Sequence, residues 1–343
     1  MHNELVGAVI LPIGEMNRMR RELVYQLDAL REAPRPEMAL SVEELLAEIP
    51  PSSNAKSAPQ LSVLSRNLEQ LAAALAAGVR TLLVDFEDIR RYKDAVALVR
   101  EQAGQNDHGE PGNAEIFLAT PRIQKAGEQG FFKLIENAQP DGVLVRNLCA
   151  LEYFAQSGLR RIGDFSLNVA NPFTAALLKS RGLERLTASY DLNIEQLLAL
   201  LRHTPRGWLE VTLHQHMPMF HMEHCVFAAF LSTGTDHTNC GRPCDQHRVH
   251  LRDRVGIEHP LRADVGCRNT LFNATPQTGA QFFAELRAAG VQSFRVELLE
   301  ETPAETTRIL QHYQSLLRGE TPGESLWREL KAHSQLGVTR GTL

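Results

Sequence analysis

RTLLVDFEDIRRYKDAVALVREQ, residues 80–102, is the stretch on which the fold turns. RTLLVDF (80–86) is a short apolar run of strand character, and Lys93 to Gln102 carries apolar residues at helical spacing. Working outward, the same couple recurs. Strand-like runs are LSVLSR (61–66), EIFLAT (115–120), GVLVRN (142–147), DFSLNV (164–169), RLTAS (185–189), WLEVTLH (208–214) and SFRVELL (293–299). Helix-like stretches separate most of them: Leu68 to Ala77, Phe131 to Ala138, Pro172 to Ser180, Ile194 to Arg202 and Pro303 to Leu317. Strands alternating with helices predict a parallel sheet. Eight such units predict an α/β chain with a closed, TIM-barrel-like (β/α)8 architecture.

The composition agrees with a large folded core. Of 343 residues 43% are hydrophobic and 22% charged, which excludes a chain disordered throughout. The net charge of −5 argues against nucleic-acid binding driven by bulk charge. Five cysteines in this length are too sparse, and odd in number, for a disulfide scaffold. The apolar run Leu5 to Ile13 is too short to span a bilayer, contains Gly7 and Pro12, and follows no Lys or Arg. The expectation is therefore no membrane and a reducing, cytoplasmic setting.

Residues 1–60 read as an N-terminal arm and Pro-rich linker, and 61–343 as the barrel-like domain. In the arm, Val6 to Leu11 is strand-like. Glu15 to Arg31 is helix-like, with Met16, Met19, Leu23, Leu27 and Leu30 three or four apart. Ser41 and Glu44 form a capping box, and Ser52 to Gln60 reads as linker.

Barrels of this kind carry their active sites where strands end and βα loops begin. Here the strand runs end in Arg66 and Asn67, Asp85 and Glu87, Arg122, Arg146 and Asn147, Asn168 and Asn171, Ser189, His214 and His216, and Glu297. Amides, arginines and histidines together suit a ligand mouth. Arg146, Asn168 and Asn171 are the candidate substrate-binding residues.

One connection breaks the rhythm. Residues 215–292, between the seventh and eighth strands, far exceed an ordinary βα loop and must have structure of their own. A hairpin is expected there, pairing Val249 to Arg252 with His259 to Arg262. Four of the five cysteines lie in this excursion, in the pattern Cys225-x14-Cys240-x3-Cys244-x22-Cys267. The tight pair Cys240-Gly241-Arg242-Pro243-Cys244 lets two thiolates converge on one ion, and the outlying cysteines complete a four-sulfur set. Such a set suits zinc or an iron–sulfur cluster. The fifth, Cys149, reads as a core thiol. From Arg242 to Arg268, six Arg against four acids leave about +2, so arginines there could hold an anion or pair with those acids. His214 and His216, two apart at a strand end, and Glu223 are the candidate catalytic groups. The sequence has no His-Glu-x-x-His, P-loop, nucleophile elbow or dinucleotide fingerprint.

Gly163-Asp164-Phe165-Ser166-Leu167-Asn168, LERLTASYDLN (183–193) and His216-Met217-Pro218-Met219 carry a family resemblance. So do Glu223-His224-Cys225, Asn239 to Cys244, Leu251-Arg252-Asp253-Arg254 and Asp264 to Thr270. In their ordered spacing the chain resembles peptidase family U32, the collagenase-like peptidases. The match is best over 160–300, weaker over 61–160, and resembles the C-terminal portion of longer members, which carry a further barrel module upstream. The resemblance implies a barrel-like α/β core. It also implies a 4Fe-4S cluster on Cys225, Cys240, Cys244 and Cys267, with zinc as the runner-up. One departure is Ala228, where some longer relatives have another cysteine just after the first.

Three functions follow as expectations. The first is an iron–sulfur enzyme acting by oxygen-independent hydroxylation on an RNA base or a small aromatic ring. The second is a collagenase-like, metal-dependent endopeptidase. The third is a non-catalytic accessory module that works with an upstream barrel or a partner subunit.

Overall fold

The structure, a computed structural model, describes residues 12–32, 40–51, 57–104, 114–234 and 239–337. The expected strand Val6 to Leu11 lies outside these residues, as do positions 52–56 of the expected linker. The chain forms two compact units, residues 1–45 and 46–343. In the first, α1 (Ile13–Glu32) is the helix expected over 15–31, and its Met16, Met19, Leu23, Leu27 and Leu30 are exposed. The capping box is formed at the start of α2 (Val42–Ala47): Glu44 N donates to Ser41 Oγ at 3.2 Å, and Ser41 N donates to Glu44 Oε2 at 2.7 Å.

The second unit is a closed barrel. Seven parallel strands follow one another in order: β1 (Gln60–Ser65), β2 (Thr81–Val84), β3 (Glu115–Ala119), β4 (Gly142–Val145), β5 (Arg160–Gly163), β6 (Arg185–Thr187) and β7 (Leu209–Gln215). Between them lie α3 (Leu68–Ala76), α4 (Tyr92–Gly104), α5 (Gly130–Asn137), α6 (Leu148–Tyr153), α7 (Pro172–Ser180) and α8 (Ile194–Arg202). After the excursion, with β8 (Pro218–Met222), α9 (Val226–Leu231), β9 (Val249–Arg252), β10 (Glu258–Asp264), β11 (Arg268–Phe272) and β12 (Gln277–Thr278), comes α10 (Phe283–Ala288). The eighth barrel strand, β13 (Ser293–Glu297), then pairs in parallel with both β7 and β1 and closes the ring. The chain continues through α11 (Pro303–Leu317), α12 (Leu326–Glu329) and β14 (His333–Ser334). Among the described residues no helix is long and apolar enough to cross a membrane.

Alternation along the strands divides the core in two. Val63, Leu82, Val84, Ile116, Leu118, Val143 and Val145 join the helices in one large cluster. Leu64, Leu83, Phe117, Ala119, Leu144 and Ile162 form a separate cluster, the apolar half of the barrel interior. Four asparagines in the loops after barrel strands act as helix caps. Asn67, Asn147, Asn171 and Asn193 accept from the third residue of α3, α6, α7 and α8.

Two expectations are corrected here. The fifth strand is Arg160–Gly163, not DFSLNV. Its only strongly apolar residue is Ile162, and Arg160 serves ion pairs with Glu115 and Glu184, so the run lacks a hydrophobic signature. Phe165–Leu167 is instead a 3₁₀ turn, closed by Asn168 in the left-handed region at φ 54°. Cys149 is exposed rather than core, because α6 buries Ala150 and Leu151 and turns Cys149 outward.

The excursion folds as a four-stranded antiparallel sheet, in the order β8-β11-β10-β9. The expected hairpin is present, with Val249 opposite Leu261 and Arg252 opposite Glu258. Asp253 Oδ1 holds the turn by accepting from Val255 and Ile257 N at 2.9 Å. Phe227, Leu261 and Leu271 make a small core of their own, against which Cys225 and Cys244 pack.

Candidate functional site

Two cavities of similar size lie in the barrel unit. One, of about 700 Å³, is lined by Cys225, Cys240, Cys244 and Cys267 together with Glu87, Asp88, Glu128, Arg242 and Asp264. Each thiol sits on a turn. Cys225 caps α9, its Sγ accepting from Ala228 N at 3.5 Å. Cys240 Sγ accepts from Arg242 N at 3.4 Å, across Gly241 (φ 69°) and Arg242 (φ 52°), both left-handed. Cys244 lies in the 3₁₀ turn Pro243–Asp245. Cys267 closes the tight β10–β11 connection at φ 60°, after Gly266 at φ 79°. Left-handed conformations at Arg242 and Cys267 are uncommon for side-chain-bearing residues, and such strain concentrates where geometry serves a site.

The barrel contributes to this cavity through the loop after β2. Asp88 accepts from Arg242 Nη2 at 3.1 Å and ties that loop to the Cys240–Cys244 turn. Glu87, Cys244 and Asp245 bring potential ligand atoms within 4.8 Å of one another, while the other three thiols stand around the same cavity outside that tight group. Burial, then the hydrogen bond to Glu87, pushes the Cys244 thiol up to about 12. The donor set is soft and sulfur-rich, with backbone N–H groups aimed at two of the sulfurs, as thiolate-bound metal groups require. Asn269 braces it, its Oδ1 accepting from Val226 N at 2.6 Å beside Cys225.

The second cavity, about 710 Å³, is the mouth of the barrel. Its walls come from the ends of β3 to β7: Arg122 and Ile123, Arg146 to Leu148, Phe165 to Asn168, Ser189 to Asp191, and Met217 to Met219. Phe165 and Tyr190 stack at 4.1 Å with planes 8° apart, and the Arg122 guanidinium lies over Phe165 at 5.0 Å.

Beneath the mouth, the half of the barrel interior opposite the apolar cluster is charged. Arg295, with no exposed surface, donates to Asp164 Oδ1 (2.6 Å), Glu210 Oε2 (2.7 Å), Thr187 Oγ1 (2.7 Å) and Glu297 Oε1 (3.2 Å). Arg146 bridges Asp164 and Asp85, each at 2.8 Å. Arg66 also pairs with Asp85, and the Tyr190 hydroxyl donates to Glu297. Burial would raise the Asp85 carboxyl, but Arg146 and Arg66 outweigh it and hold it at about 2. Glu297 goes the other way, raised by burial against the pull of Arg295.

The expected site residues separate into groups. Arg146 and Asn168 line the mouth, whereas Asn171 caps α7 and lies outside that lining. His214 is enclosed between β7 and α11, 1% exposed, its Nδ1 3.2 Å from Tyr313 Oη. Its Nε2 has no hydrogen-bond partner among the described residues, and burial pushes the ring down to about 4. His216 is held by Asn273 O at 2.8 Å and by Glu301 at 3.5 Å. Neither histidine lines the mouth. Glu223 bridges Lys125 and Arg268, and Arg268 in turn reaches Glu128 at the cysteine cavity. Arg295 and Glu210 were not anticipated. Their signal is a charge in the middle of an apolar run, WLEVTLH or SFRVELL, in a strand covered on both faces.

No curated protein matches the chain. Among solved structures, the U32 peptidase Mk0906 is similar over 74% of this chain and 98% of its own, at 11% identity and a TM-score of 0.41. The 3-hexulose-6-phosphate synthase from Salmonella typhimurium is similar over 76% of this chain and 100% of its own, at 12% identity and a TM-score of 0.37. The family model of peptidase family U32 matches residues 115–341, which takes in the barrel from β3 onward and all four cysteines of the excursion. By that match the chain belongs to peptidase family U32.

Proposed function

We propose that this U32 protein is an iron–sulfur enzyme of a reducing, cytoplasmic compartment. In this reading Cys225, Cys240, Cys244 and Cys267 hold a 4Fe-4S cluster, and an RNA base or small aromatic ring is hydroxylated at the barrel mouth independently of O2, the oxygen atom coming from a co-substrate donor that is itself reduced. The observation that supports it most is the convergence of four thiols, scattered from 225 to 267, on one cavity. When bound, such a cluster supplies electron-transfer chemistry that side chains lack. Backbone N–H groups at Ala228 and Arg242 donate to Cys225 and Cys240 and orient those two sulfurs. At the mouth, Arg146 is fixed by Asp85 and Asp164, so its role is to hold the floor of the cavity rigid. With a net charge of −5, an RNA substrate calls for basic surface from an upstream barrel or a partner subunit.

One observation favours a second reading. Glu87, Cys244 and Asp245 together could hold a single ion with an open position, as a collagenase-like metallopeptidase with zinc would need. Anaerobic purification followed by metal and sulfide analysis separates the two. The cluster reading expects brown protein with about four iron per chain, lost in Cys240→Ser. Colourless protein with one tightly held zinc overturns it, and cleavage of denatured collagen by that protein would support the second. Protein with a metal site but no activity altered by any change at the mouth would favour an accessory module.

A further inference from the structure

We propose that Arg122 is an oxyanion anchor of the mouth cavity, so that whatever enters it presents a phosphate or carboxylate to that guanidinium. The inference is independent of what the cysteines hold.

Most polar groups at the mouth are already committed to partners within the protein. Arg146 is neutralised by Asp85 and Asp164. Asn147 caps α6 and donates to Pro121 O. Ser166 donates to Arg146 O, Ser189 Oγ accepts from Asp191 N, and Tyr190 donates to Glu297. The lining residues Ile123, Leu148, Phe165, Leu167, Met217 and Met219 are apolar. Arg122 differs from all of these. It is the one lining cation among the described residues that has neither an ion pair nor a hydrogen bond, and its guanidinium donors remain available to a ligand.

Its position is also fixed. The guanidinium lies on Phe165, which lies on Tyr190, whose hydroxyl is tied to Glu297 in the barrel interior. A three-layer stack of this kind removes side-chain freedom before a ligand arrives, which is the condition for a strong anion contact. Half-burial strengthens the attraction: burial first, then neighbouring Arg146, lowers the Arg122 pKa and so makes a counter-anion welcome. The nearby carboxylates Asp164 and Asp264 act on Arg122 only through space. Asn168, left-handed and with no side-chain hydrogen bond among the described residues, offers a neutral amide in the same cavity lining. Asp191 is the one exposed carboxylate of the lining and would repel an anion placed against it. The fork geometry of Arg suits phosphate and carboxylate alike, so the two must be told apart by experiment.

The test is calorimetric titration of the full chain, purified anaerobically, with phenyl phosphate, benzoate and neutral benzyl alcohol. Arg122→Gln, Arg122→Lys and Asp191→Asn are compared with the wild type, and each variant's thermal melt is recorded. At least one anion is expected to bind at millimolar concentration and to weaken about tenfold or more in Arg122→Gln. Arg122→Lys should lose less, Asp191→Asn should bind no more weakly than wild type, and benzyl alcohol should not respond to Arg122→Gln. The stronger of the two anions identifies the oxyanion. Equal anion binding by wild type and Arg122→Gln overturns the proposal, as does failure of both anions to bind the wild type. Because iron content plays no part in this readout, the proposal and the cluster reading fail separately.

Discussion

His214 illustrates how a residue type can point to chemistry while its position points to stability. A histidine at the end of a barrel strand reads as a catalytic group, yet the ring is sealed against Tyr313 and pushed down to about 4. In the unfolded chain it takes up a proton near the ordinary value of about 6.5. Between these values the unfolded state binds the extra proton. The stability owed to the neutral buried ring is therefore full above about pH 6.5 and is lost as the pH falls through about 4, at up to about 1.4 kcal/mol per pH unit. Urea denaturation of wild type and His214→Asn near neutrality and at about pH 5 checks this. The variant should be less stable near neutrality, and the gap should narrow on acidification; a constant gap would exclude titration of this ring. At the same scale, Asn171 was legible as polar and loop-borne, but one sequence cannot distinguish a ligand amide from a helix cap. Both need an asparagine at the end of a βα loop, and only the hydrogen bond to Thr174 N decides.

Elements were more legible than residues. α7, α8 and α11 fall where periodicity and caps set them, because Pro172, Asn193 and Pro303 mark helix starts with local chemistry. β5 was not legible, because a strand with two arginines has pairing but no apolar signature. The excursion was legible as a structured insertion, and its hairpin could be read from sequence. The approach of Glu87 and Asp88 from the β2 loop could not, since nothing in sequence links 88 to 242. The excursion sheet has a small core of three buried residues, separate from the barrel's clusters. Metal bound by its cysteines would thus supply much of its stability. Hydrogen exchange before and after chelation should show loss of protection across β8–β11 while β1–β7 stay protected. Uniform loss would mean that barrel and excursion unfold as one.

For the whole molecule, the defining feature is a barrel interior that is apolar on one side and ionic on the other. Arg295 is the hub of the ionic side, and removing one partner of a buried ion network strands the others. Arg295→Met should cost about 3–5 kcal/mol by chemical denaturation. That deficit should shrink as the pH falls into the carboxylate range, because protonation relieves Asp164 and Glu210 of buried charge that only Arg146 and Arg185 would then balance. A deficit unchanged by pH would point to lost packing instead.

The position of Arg295 in the chain also matters during synthesis. It belongs to β13, the strand that closes the ring between β7 and β1 and the last of the eight to leave the ribosome. Until it emerges, the growing polypeptide carries two open sheet edges, and Asp164 and Glu210 face a space that Arg295, one of the arginines that pair with them, has not reached. Such edges invite pairing with other chains. The nascent protein is thus most exposed to aggregation while the cysteine-bearing excursion is being translated, and the arrival of a single arginine ends that interval.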